Sequence, residues 1–290
     1  MTLACPRCKA PLAGRLECSK CGAAYQAVDG VPILLSEELT EQHLHQREYF
    51  DAEFAGYEEY AVENWRLSYI ERIFGALGVL DGQGPYLDVG VGGSGATVIE
   101  AARRGVEAVG CDLSVEGVLA ARRFVEREKV EQTAELVVCA AEALPFPDEQ
   151  FGSASAVALL EHLDDDEAAV GELARVVAPG GRVWITVPHA YRYIPPPVWP
   201  LYWWHDRRIG HKRHYDEQRL VDLFARHEFD HVRTYFSGHP VKFLQAGLSL
   251  VLPAMRRPES GLWWSLERRD RAKESRRLGA VQLNTVFRRR

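Results

Sequence analysis

The sequence predicts an α/β fold, in which a mostly parallel sheet is covered by helices on both faces and follows a small cysteine-rich module. From Tyr86 onward, short apolar runs typical of buried strands alternate with amphipathic helical segments. The first of these runs ends in a glycine-rich turn, and four of the six cysteines lie within the first 21 residues. With 290 residues, 47% of them hydrophobic, the chain can form one substantial core and a small appendage.

Changes in composition along the chain suggest three parts. After the cysteine-rich module come two helical stretches rich in aromatic residues, over Glu37–Phe54 and Glu63–Leu77, and then the α/β domain. We expect a module at 1–35, a helical cap and linker at 36–80, and the main domain at 81–290, with a lid at 189–215 and an insertion at 237–279.

The net charge of −6 gives no overall reason to expect a nucleic acid as partner. The segment from Arg256 to Arg290 is nevertheless basic, with eleven Lys/Arg against four Asp/Glu. It is either a solvated helix face or a docking surface for an anionic partner. No run of eighteen apolar residues and no signal-like N-terminus is present, so we expect a cytoplasmic protein.

The cysteines at the N-terminus have the spacing of a zinc site. Cys5-x2-Cys8 is followed after nine residues by Cys18-x2-Cys21, and two such pairs can place four thiolates tetrahedrally around one ion. A disulfide framework is the alternative, but cytosolic thiols stay reduced. Four thiolates leave no open position for chemistry, so we expect a structural Zn²⁺. The following residues, Tyr25–Leu35, predict two strands joined by an Asp-Gly turn.

The glycine-rich turn indicates a nucleotide-like cofactor. Tyr86-Leu87-Asp88-Val89-Gly90-Val91-Gly92-Gly93-Ser94-Gly95 combines a strand, an acidic residue and a turn that opens into a helix. Glycine lets a ligand approach the backbone closely. A carboxylate at Asp88 would not help to bind a pyrophosphate, which disfavours an NAD-dependent oxidoreductase, but it suits a cationic cofactor. The pattern Asp-x-Gly-x-Gly resembles the first motif of class I S-adenosylmethionine-dependent methyltransferases.

Two later segments bear on the rest of the cofactor site. Asp112 ends the second strand, where a carboxylate can accept both ribose hydroxyls; the alternative is that it caps the next helix. After the third strand, Ala140–Asp148 resembles the D-A-E-x-L-P-F loop of methyltransferases of ubiquinone and menaquinone biosynthesis (type 11). That loop covers the adenine, but its usual acid is missing at Ala140 and Phe151-Gly152 also departs from the family. Glu142 or the backbone at Ala141 is the candidate replacement.

This resemblance extends to Arg175-Val176-Val177-Ala178-Pro179-Gly180-Gly181, a turn before the fifth strand. It implies a Rossmann-like sheet of seven strands, with the last strand antiparallel between the fifth and sixth. The segment from Cys5 to Leu35 resembles zinc ribbons that are fused to some methyltransferases. The cofactor-binding residues implied are Asp88, Gly90, Gly92, Gly95, Asp112, Leu113, Ala141, Glu142 and Leu159.

Residues for an acceptor are expected at the carboxyl ends of the strands. His162, after the fourth strand, is a candidate general base, with a wall of the cleft as the alternative. His189 and Tyr193 follow the fifth strand. The segment Trp199–Tyr215 interleaves tryptophans, histidines and basic residues, and its end resembles a G-H-x-R-x-Y segment of methyltransferases of glycans and specialised metabolites. We therefore add His211, Arg213 and Tyr215, although this segment also fits an amphipathic lid held by packing tryptophans.

The insertion is apolar over Val241–Leu252 and continues through Trp263-Trp264 into a basic helix. Residues 241–277 therefore fit a membrane surface, a wall of a hydrophobic acceptor pocket or a homodimer interface. The sequence as a whole favours methyl transfer to an oxygen or nitrogen of a small-molecule or glycan-like acceptor. The alternatives are an RNA-modifying methyltransferase that docks through its zinc ribbon, which the acidic body disfavours, and a non-catalytic cofactor-binding partner.

Overall fold

The strands of this protein form one mixed sheet with helices on both faces. The computed structural model describes residues 1–12, 16–35, 39–57, 64–82, 84–241, 248, 252 and 260–290. The strands are β1 Gln26–Val28, β2 Val31–Ile33, β3 Tyr86–Val89, β4 Ala108–Asp112, β5 Ala134–Val138, β6 Phe151–Val157, β7 Val177–Pro188, β8 Phe229–Ser237 and β9 Gln282–Arg289. The helices are α1 Glu41–Phe54, α2 Asn64–Leu77, α3 Ala96–Arg103, α4 Val115–Arg127, α5 Asp166–Val176, α6 Trp199–Ile209, α7 Glu217–Ala225 and α8 Gly261–Arg271.

The strand order is β1-β2-β5-β4-β3-β6-β7-β9-β8. Strands β5, β4, β3, β6 and β7 run parallel to one another. Strand β9 lies antiparallel between β7 and β8, which confirms the predicted position of the last strand. The order reverses at β3, so the carboxyl ends of β3, β4 and β6 meet where ligands bind in open α/β sheets.

The sheet has nine described strands rather than the predicted seven. The β1–β2 hairpin of the cysteine-rich module joins it, because Ile33 pairs in parallel register with Val138 of β5. The Leu34 N–H also donates a 2.8 Å hydrogen bond to the Val138 carbonyl. Without the hairpin, β5 would be an edge strand with unpaired backbone groups, which proteins usually cover. The module is therefore continuous with the main sheet.

Alternating residues of the strands supply two cores, one on each face of the sheet. On β3, Leu87 packs with Phe151 and Ile185 on one face. Its neighbour Tyr86 packs with Phe74 and helices α2 to α4 on the other. The predicted parallel, doubly covered sheet is confirmed by this arrangement.

Some element boundaries differ from those predicted. Helix α1 begins at Glu41, because Thr40 is its N-cap and accepts a hydrogen bond from the His43 N–H at 3.2 Å. The predicted linker residue Ser36 and the predicted helix starts at Glu37 and Glu63 lie outside the described residues. Strand β7 begins at Val177, so the predicted Pro-Gly-Gly turn falls inside it and coincides with a register shift against β6.

Most of the predicted apolar stretch Val241–Leu252 also lies outside the described residues. Within the described part of the basic C-terminal segment, several arginines pair with acids of the main domain. Arg277 pairs with Glu217, and Arg289 contacts Glu228 at 2.6 Å. These pairs favour the interpretation of a solvated, internally neutralised surface. Among the described helices, none is long and apolar enough to cross a membrane.

Candidate active site

The glycine-rich turn follows β3 in a conformation that requires glycine. Gly90 has φ +81° and Gly92 has φ +61°, in the left-handed region that disfavours side chains. A Cβ on Gly90 would also lie 3.4 Å from Cδ1 of Leu159, which lines the same cavity as Gly90. The backbone of the turn is held by the Gly90 N–H, which donates to the Cys111 carbonyl at 2.8 Å. Side chains are therefore excluded where a ligand would approach the chain.

Asp112 ties this turn to the start of α4. Its Oδ2 accepts from the Gly92 N–H and its Oδ1 from the Ser114 N–H, both at 2.9 Å. Burial raises the pKa of this carboxyl. Ser114, not Asp112, caps α4, because its hydroxyl accepts from the Gly117 N–H at 2.9 Å. Asp112 also lines the cavity, and each carboxylate oxygen has a second lone pair for a ligand.

Asp88 lies beneath the turn rather than on the cavity wall. Its two oxygens accept hydrogen bonds from the hydroxyls of Ser155 and Thr97. Burial raises its pKa to about 6. Gly95 is likewise off the cavity: it is the N-cap of α3, and a Cβ there would lie 3.0 Å from that of Ala121. Asp88 and Gly95, both predicted to bind the cofactor, therefore contact the residues around the turn and not the cavity.

The cavity opens at the carboxyl ends of β3, β4, β5 and β6 and is covered by α1. Seven of the nine predicted cofactor residues line it. Helix α1 contributes one wall with polar residues near its start and aromatic residues near its end. The lining residues are Gln42, His43, Gln46, Phe50, Phe54, Val89, Gly90, Gly92, Cys111, Asp112, Leu113, Ser114, Cys139, Ala140, Ala141, Glu142, Val157, Ala158, Leu159, His162 and Leu163.

Phe54 fixes the position of α1 over the cavity. Its ring lies against two glycines: a Cβ on Gly93 would be 2.9 Å from the ring, and one on Gly117 would be 2.6 Å away. Asp51, one turn earlier, accepts from the Ser114 hydroxyl at 2.6 Å and the Glu116 N–H at 3.1 Å. Small residues on α4 and in the turn thus allow the cap to seat closely.

Glu142 presents an unpaired acceptor to the cavity. Its Oε1 lies 3.1 Å from Nε2 of His43, and this contact raises the pKa of the histidine. The other oxygen, Oε2, is buried without a hydrogen-bond partner. A buried carboxylate oxygen without a donor is costly unless a ligand supplies one. Ala140, where the acid of the resembling loop is missing, lines the cavity beside it.

His162 also lines the cavity, in the loop after β6. It is 7% exposed, and its ring packs edge-on against Phe50 and against His211, the latter with ring centroids 4.7 Å apart. Burial, with His211 as the next cause, lowers the pKa of His162 to about 3. Its Nδ1 is buried without a hydrogen-bond partner. The side chain is therefore neutral near pH 7.

His211 joins His162 through a small polar cluster. Its Nδ1 lies 2.8 Å from the Asp206 carboxylate, and its Nε2 lies 3.8 Å from Oε1 of Glu161. Glu161 is 1% exposed, and burial raises its pKa to about 8. Asp206 also receives hydrogen bonds from Tyr191 and His214. The lid and the loop after β6 therefore meet at this point.

The remaining predicted acceptor residues lie away from the cavity. His189 is buried, stacks on Tyr193 with centroids 4.4 Å apart and has its Nδ1 3.1 Å from the Ala280 carbonyl. Arg213 contacts Asp166 at 2.7 Å, and the Tyr215 hydroxyl donates to the same carboxylate at 2.6 Å. These four side chains anchor the lid to the main domain, whereas His211 alone among the five reaches His162.

The four N-terminal cysteines converge as their spacing predicts. Their sulfur atoms all lie within 4.8 Å of one another, with Cys5 and Cys21 3.7 Å apart and Cys8 and Cys18 3.4 Å apart. The Tyr25 hydroxyl is 3.1 Å from the sulfur of Cys5. Tetrahedral ligands at a Zn–S distance of about 2.3 Å are about 3.8 Å apart, so these separations fit one ion.

The central part of this chain is similar to a known family model. Residues 87–185 match the methyltransferase domain family model. Norajmaline N-methyltransferase of Rauvolfia serpentina is 31% identical over 38% of this chain and 37% of the relative. Ubiquinone biosynthesis O-methyltransferase of Alkalilimnicola ehrlichii is 37% identical over 41% of this chain and 45% of the relative. The chain thus matches less than half the length of these curated relatives.

A solved structure extends the likeness in fold beyond that segment. Phosphoethanolamine N-methyltransferase 2 of Haemonchus contortus, in complex with S-adenosyl-L-methionine, superposes with a TM-score of 0.62 and 18% identity. The superposition covers 89% of this chain and 61% of that one. It supports the Rossmann-like methyltransferase fold that the sequence predicts.

The sequence alone does not identify three features of this site. The cavity-facing residues of α1, such as Gln46 and Phe54, carry no motif and are identified only by packing. Asp206 was also missed, although a carboxylate next to His205 in α6 and shortly before His211 was a usable signal. The unpaired Oε2 of Glu161 depends on burial, which a single sequence does not report.

Proposed function

We propose that this chain is an S-adenosylmethionine-dependent methyltransferase that acts on an oxygen, or a nitrogen, of a small-molecule or glycan-like acceptor. The observation that carries the proposal is the cavity itself, in which Asp112 and the glycine-rich turn face Glu142 across the ends of β4 and β5. The match of residues 87–185 to the methyltransferase domain supports it.

The residues present fit this cofactor. Asp112 has free lone pairs for the ribose hydroxyls, and the absence of side chains at Gly90 and Gly92 leaves room for the amino-acid part. The unpaired Oε2 of Glu142 supplies a hydrogen-bond acceptor for the adenine amino group. It takes the place of the acid that the resembling loop has where this chain has Ala140. Asp88 acts from below, through its contacts to Thr97 and Ser155.

When bound, S-adenosylmethionine supplies a methyl group on a positively charged sulfur, so the protein mainly has to align the acceptor. Phe50 and His162 line the cavity in contact with each other, and an acceptor placed beside them would lie next to the imidazole. A hydroxyl acceptor must also lose its proton, and neutral His162 can take it directly. Burial makes this imidazole a weak base, so its proposed role suits an acceptor that is already acidic.

The acceptor class is proposed from the chemistry of the site and from relatives. Similar proteins include norajmaline N-methyltransferase and a ubiquinone biosynthesis O-methyltransferase. The edge of the cavity combines aromatic rings with histidine and glutamate side chains, which suits a planar or hydroxylated small molecule. The pairing of C-terminal arginines with acids disfavours an RNA footprint.

We further propose a structural Zn²⁺ at Cys5, Cys8, Cys18 and Cys21. The sulfur separations support it, as does the Tyr25 hydroxyl beside Cys5. The site lies against the main domain, where the Ala4 N–H donates to the Pro145 carbonyl at 2.8 Å and Lys9 contacts Glu172 at 2.6 Å. The zinc module would thereby stabilise the loop that carries Glu142.

The proposal is tested by an acceptor screen that detects S-adenosylhomocysteine release by mass spectrometry. The panel contains phenols, catechols, amines and sugars, each at several concentrations. We expect turnover with at least one class and its loss in Asp112→Ala. Cofactor binding without turnover for every class would favour the alternative, a non-catalytic cofactor-binding partner.

A further inference from the structure

The loop after β6 and the end of the lid bring together three side chains that can bind a metal. These are Glu161, His162 and His211, each offering one ligand atom, and the three atoms lie within 4.8 Å of one another. Two of these side chains follow β6 directly, and the third follows α6. The cluster is separate from the four cysteines.

Two buried atoms of this cluster have no hydrogen-bond partner. They are Oε2 of Glu161, on a side chain 1% exposed, and Nδ1 of His162, on a side chain 7% exposed. Nε2 of His211 lies 3.8 Å from Oε1 of Glu161, too far for a hydrogen bond between them. Buried polar atoms without a partner call for an explanation, and binding of an ion is one of the few available.

His211 has the support typical of a metal ligand. Its Nδ1 lies 2.8 Å from the carboxylate of Asp206, which leaves Nε2 on the side of Glu161. Histidine ligands usually donate their second ring N–H to a carboxylate, which fixes the ring and its tautomer. Asp206 is itself held by Tyr191 and His214.

From this arrangement we propose a divalent transition-metal site at Glu161, His162 and His211, with Asp206 as the positioning residue. Two imidazoles and one carboxylate suit Mn²⁺, Fe²⁺, Co²⁺ or Zn²⁺. Ligands about 2.1 Å from an ion are about 3.0–3.6 Å apart, close to the 3.8 Å between Nε2 of His211 and Oε1 of Glu161. Three protein ligands leave coordination positions open.

The ion would lie beside the cavity, because His162 lines the cavity wall. An open coordination position could hold an oxygen or nitrogen of the acceptor and orient it toward the cofactor. This role rests on the proposed function, whereas ion binding does not. A nitrogen of His162 that holds the ion cannot also accept a proton, so the metal-bound protein would not use His162 as a base.

The test is a Mn²⁺ titration of the full-length protein followed by electron paramagnetic resonance. Mn²⁺ prefers oxygen and nitrogen ligands to thiolates, so the cysteine cluster does not compete. We expect one bound Mn²⁺ per chain at concentrations below about 1 mM, and weaker binding by about tenfold or more in Glu161→Gln and His211→Ala. Asp206→Asn should weaken it by about 10–100-fold.

The matched control is His205→Ala, since His205 lies on the same helix beside Asp206 but its side chain is largely exposed. Its Mn²⁺ affinity should equal that of the wild type. Absence of bound Mn²⁺, or equal affinity in Glu161→Gln, would overturn the proposal. Weaker Mn²⁺ binding in His205→Ala but not in Glu161→Gln would show that the ion binds elsewhere, and it would also overturn the proposal. An unchanged thermal unfolding midpoint of Glu161→Gln shows that the variant is folded. S-adenosylhomocysteine binding is measured separately, so that failure of the metal proposal can be distinguished from failure of the proposed function.

Discussion

The carboxylate of Asp112 accepts a hydrogen bond from the Gly92 N–H at 2.9 Å, which joins the end of β4 to the turn after β3. The acidic residue and the glycine turn therefore form one unit of the cavity. Because Asp112 also reaches the Ser114 N–H, the start of α4 belongs to the same unit. Replacing Asp112 should affect the ligand and the turn together.

Asp112→Ala should weaken S-adenosylhomocysteine binding by about 1–3 kcal/mol, because charge-assisted hydrogen bonds to the ribose are lost. Isothermal titration calorimetry measures the change. Glu126→Ala is the control, since it removes a carboxylate from the outer face of α4 that pairs with Arg122. Equal affinities in the two variants would remove Asp112 from the cofactor site.

Gly90→Val should abolish detectable cofactor binding, because a β-branched side chain enters the cavity beside Leu159. Gly105→Val is the matched control. Gly105 has φ +79°, close to the +81° of Gly90, but a Cβ there meets nothing within 4 Å. Both variants should lose stability through backbone strain, and only Gly90→Val should lose affinity. Similar cofactor affinities would show that the turn does not contact the ligand.

Glu142→Gln tests the adenine contact. Glutamine keeps the shape but replaces one buried oxygen with a donor, so S-adenosylhomocysteine should bind more weakly by about 1–2 kcal/mol. An analogue with a carbonyl in place of the adenine amino group should lose less affinity, or gain it. Competition binding with both ligands gives the comparison. If Glu142→Gln lowers the affinities for the two ligands equally, Glu142 does not contact the adenine amino group.

The sequence predicted the residues proposed to bind the cofactor better than those proposed to bind the acceptor. Asp112, Gly90 and Gly92 were predictable because a strand end and a glycine turn have strict local geometry. His189 and Tyr215 were expected at an acceptor, but both are buried against the main domain, because a single sequence does not show which way a ring faces. The β1–β2 hairpin was predicted as a unit, whereas its pairing with β5 depends on tertiary contact.

The proposed roles of His162 and His211 can be separated by kinetics once an acceptor is known. His162→Ala should lower kcat by about 10²–10⁴ and leave cofactor affinity nearly unchanged. His211→Ala should raise KM at least as much as it lowers kcat. If His162 is the base, the reduction in kcat caused by His162→Ala should become smaller at a pH that deprotonates the acceptor. Wild-type turnover in His162→Ala would show that this side chain only lines the cavity and does not act as a base.

Zinc analysis of protein purified without chelators should find one ion per chain fewer in Cys18→Ser than in the wild type, because the cysteine site is lost and the proposed second site is not. Cys111→Ala is the control, because Cys111 is buried on β4 away from the cysteine cluster, and its zinc content should be normal. Removing the ion should also lower the thermal unfolding midpoint, since structural zinc contributes to folding. Full zinc content in Cys18→Ser would contradict the ligand set.

Acidification should destabilise the protein through His189. Burial lowers its folded-state pKa to about 4, below the ordinary value of 6.5. The unfolded chain therefore binds the proton first, and stability falls as the pH drops from about 6.5 toward 4, by at most about 1.4 kcal/mol per pH unit. Denaturant unfolding of wild type and His189→Asn across this range should give a shallower slope for the variant. Parallel slopes would mean that His189 does not contribute.

The most direct test of the central claim is calorimetric titration of the wild-type protein with S-adenosylhomocysteine and, in a parallel experiment, with NAD⁺. The cavity, with Asp112 on its wall and an unpaired acceptor on Glu142, predicts one bound S-adenosylhomocysteine per chain and no measurable NAD⁺ binding. Binding of NAD⁺ in preference to S-adenosylhomocysteine, or of neither ligand, would contradict the account.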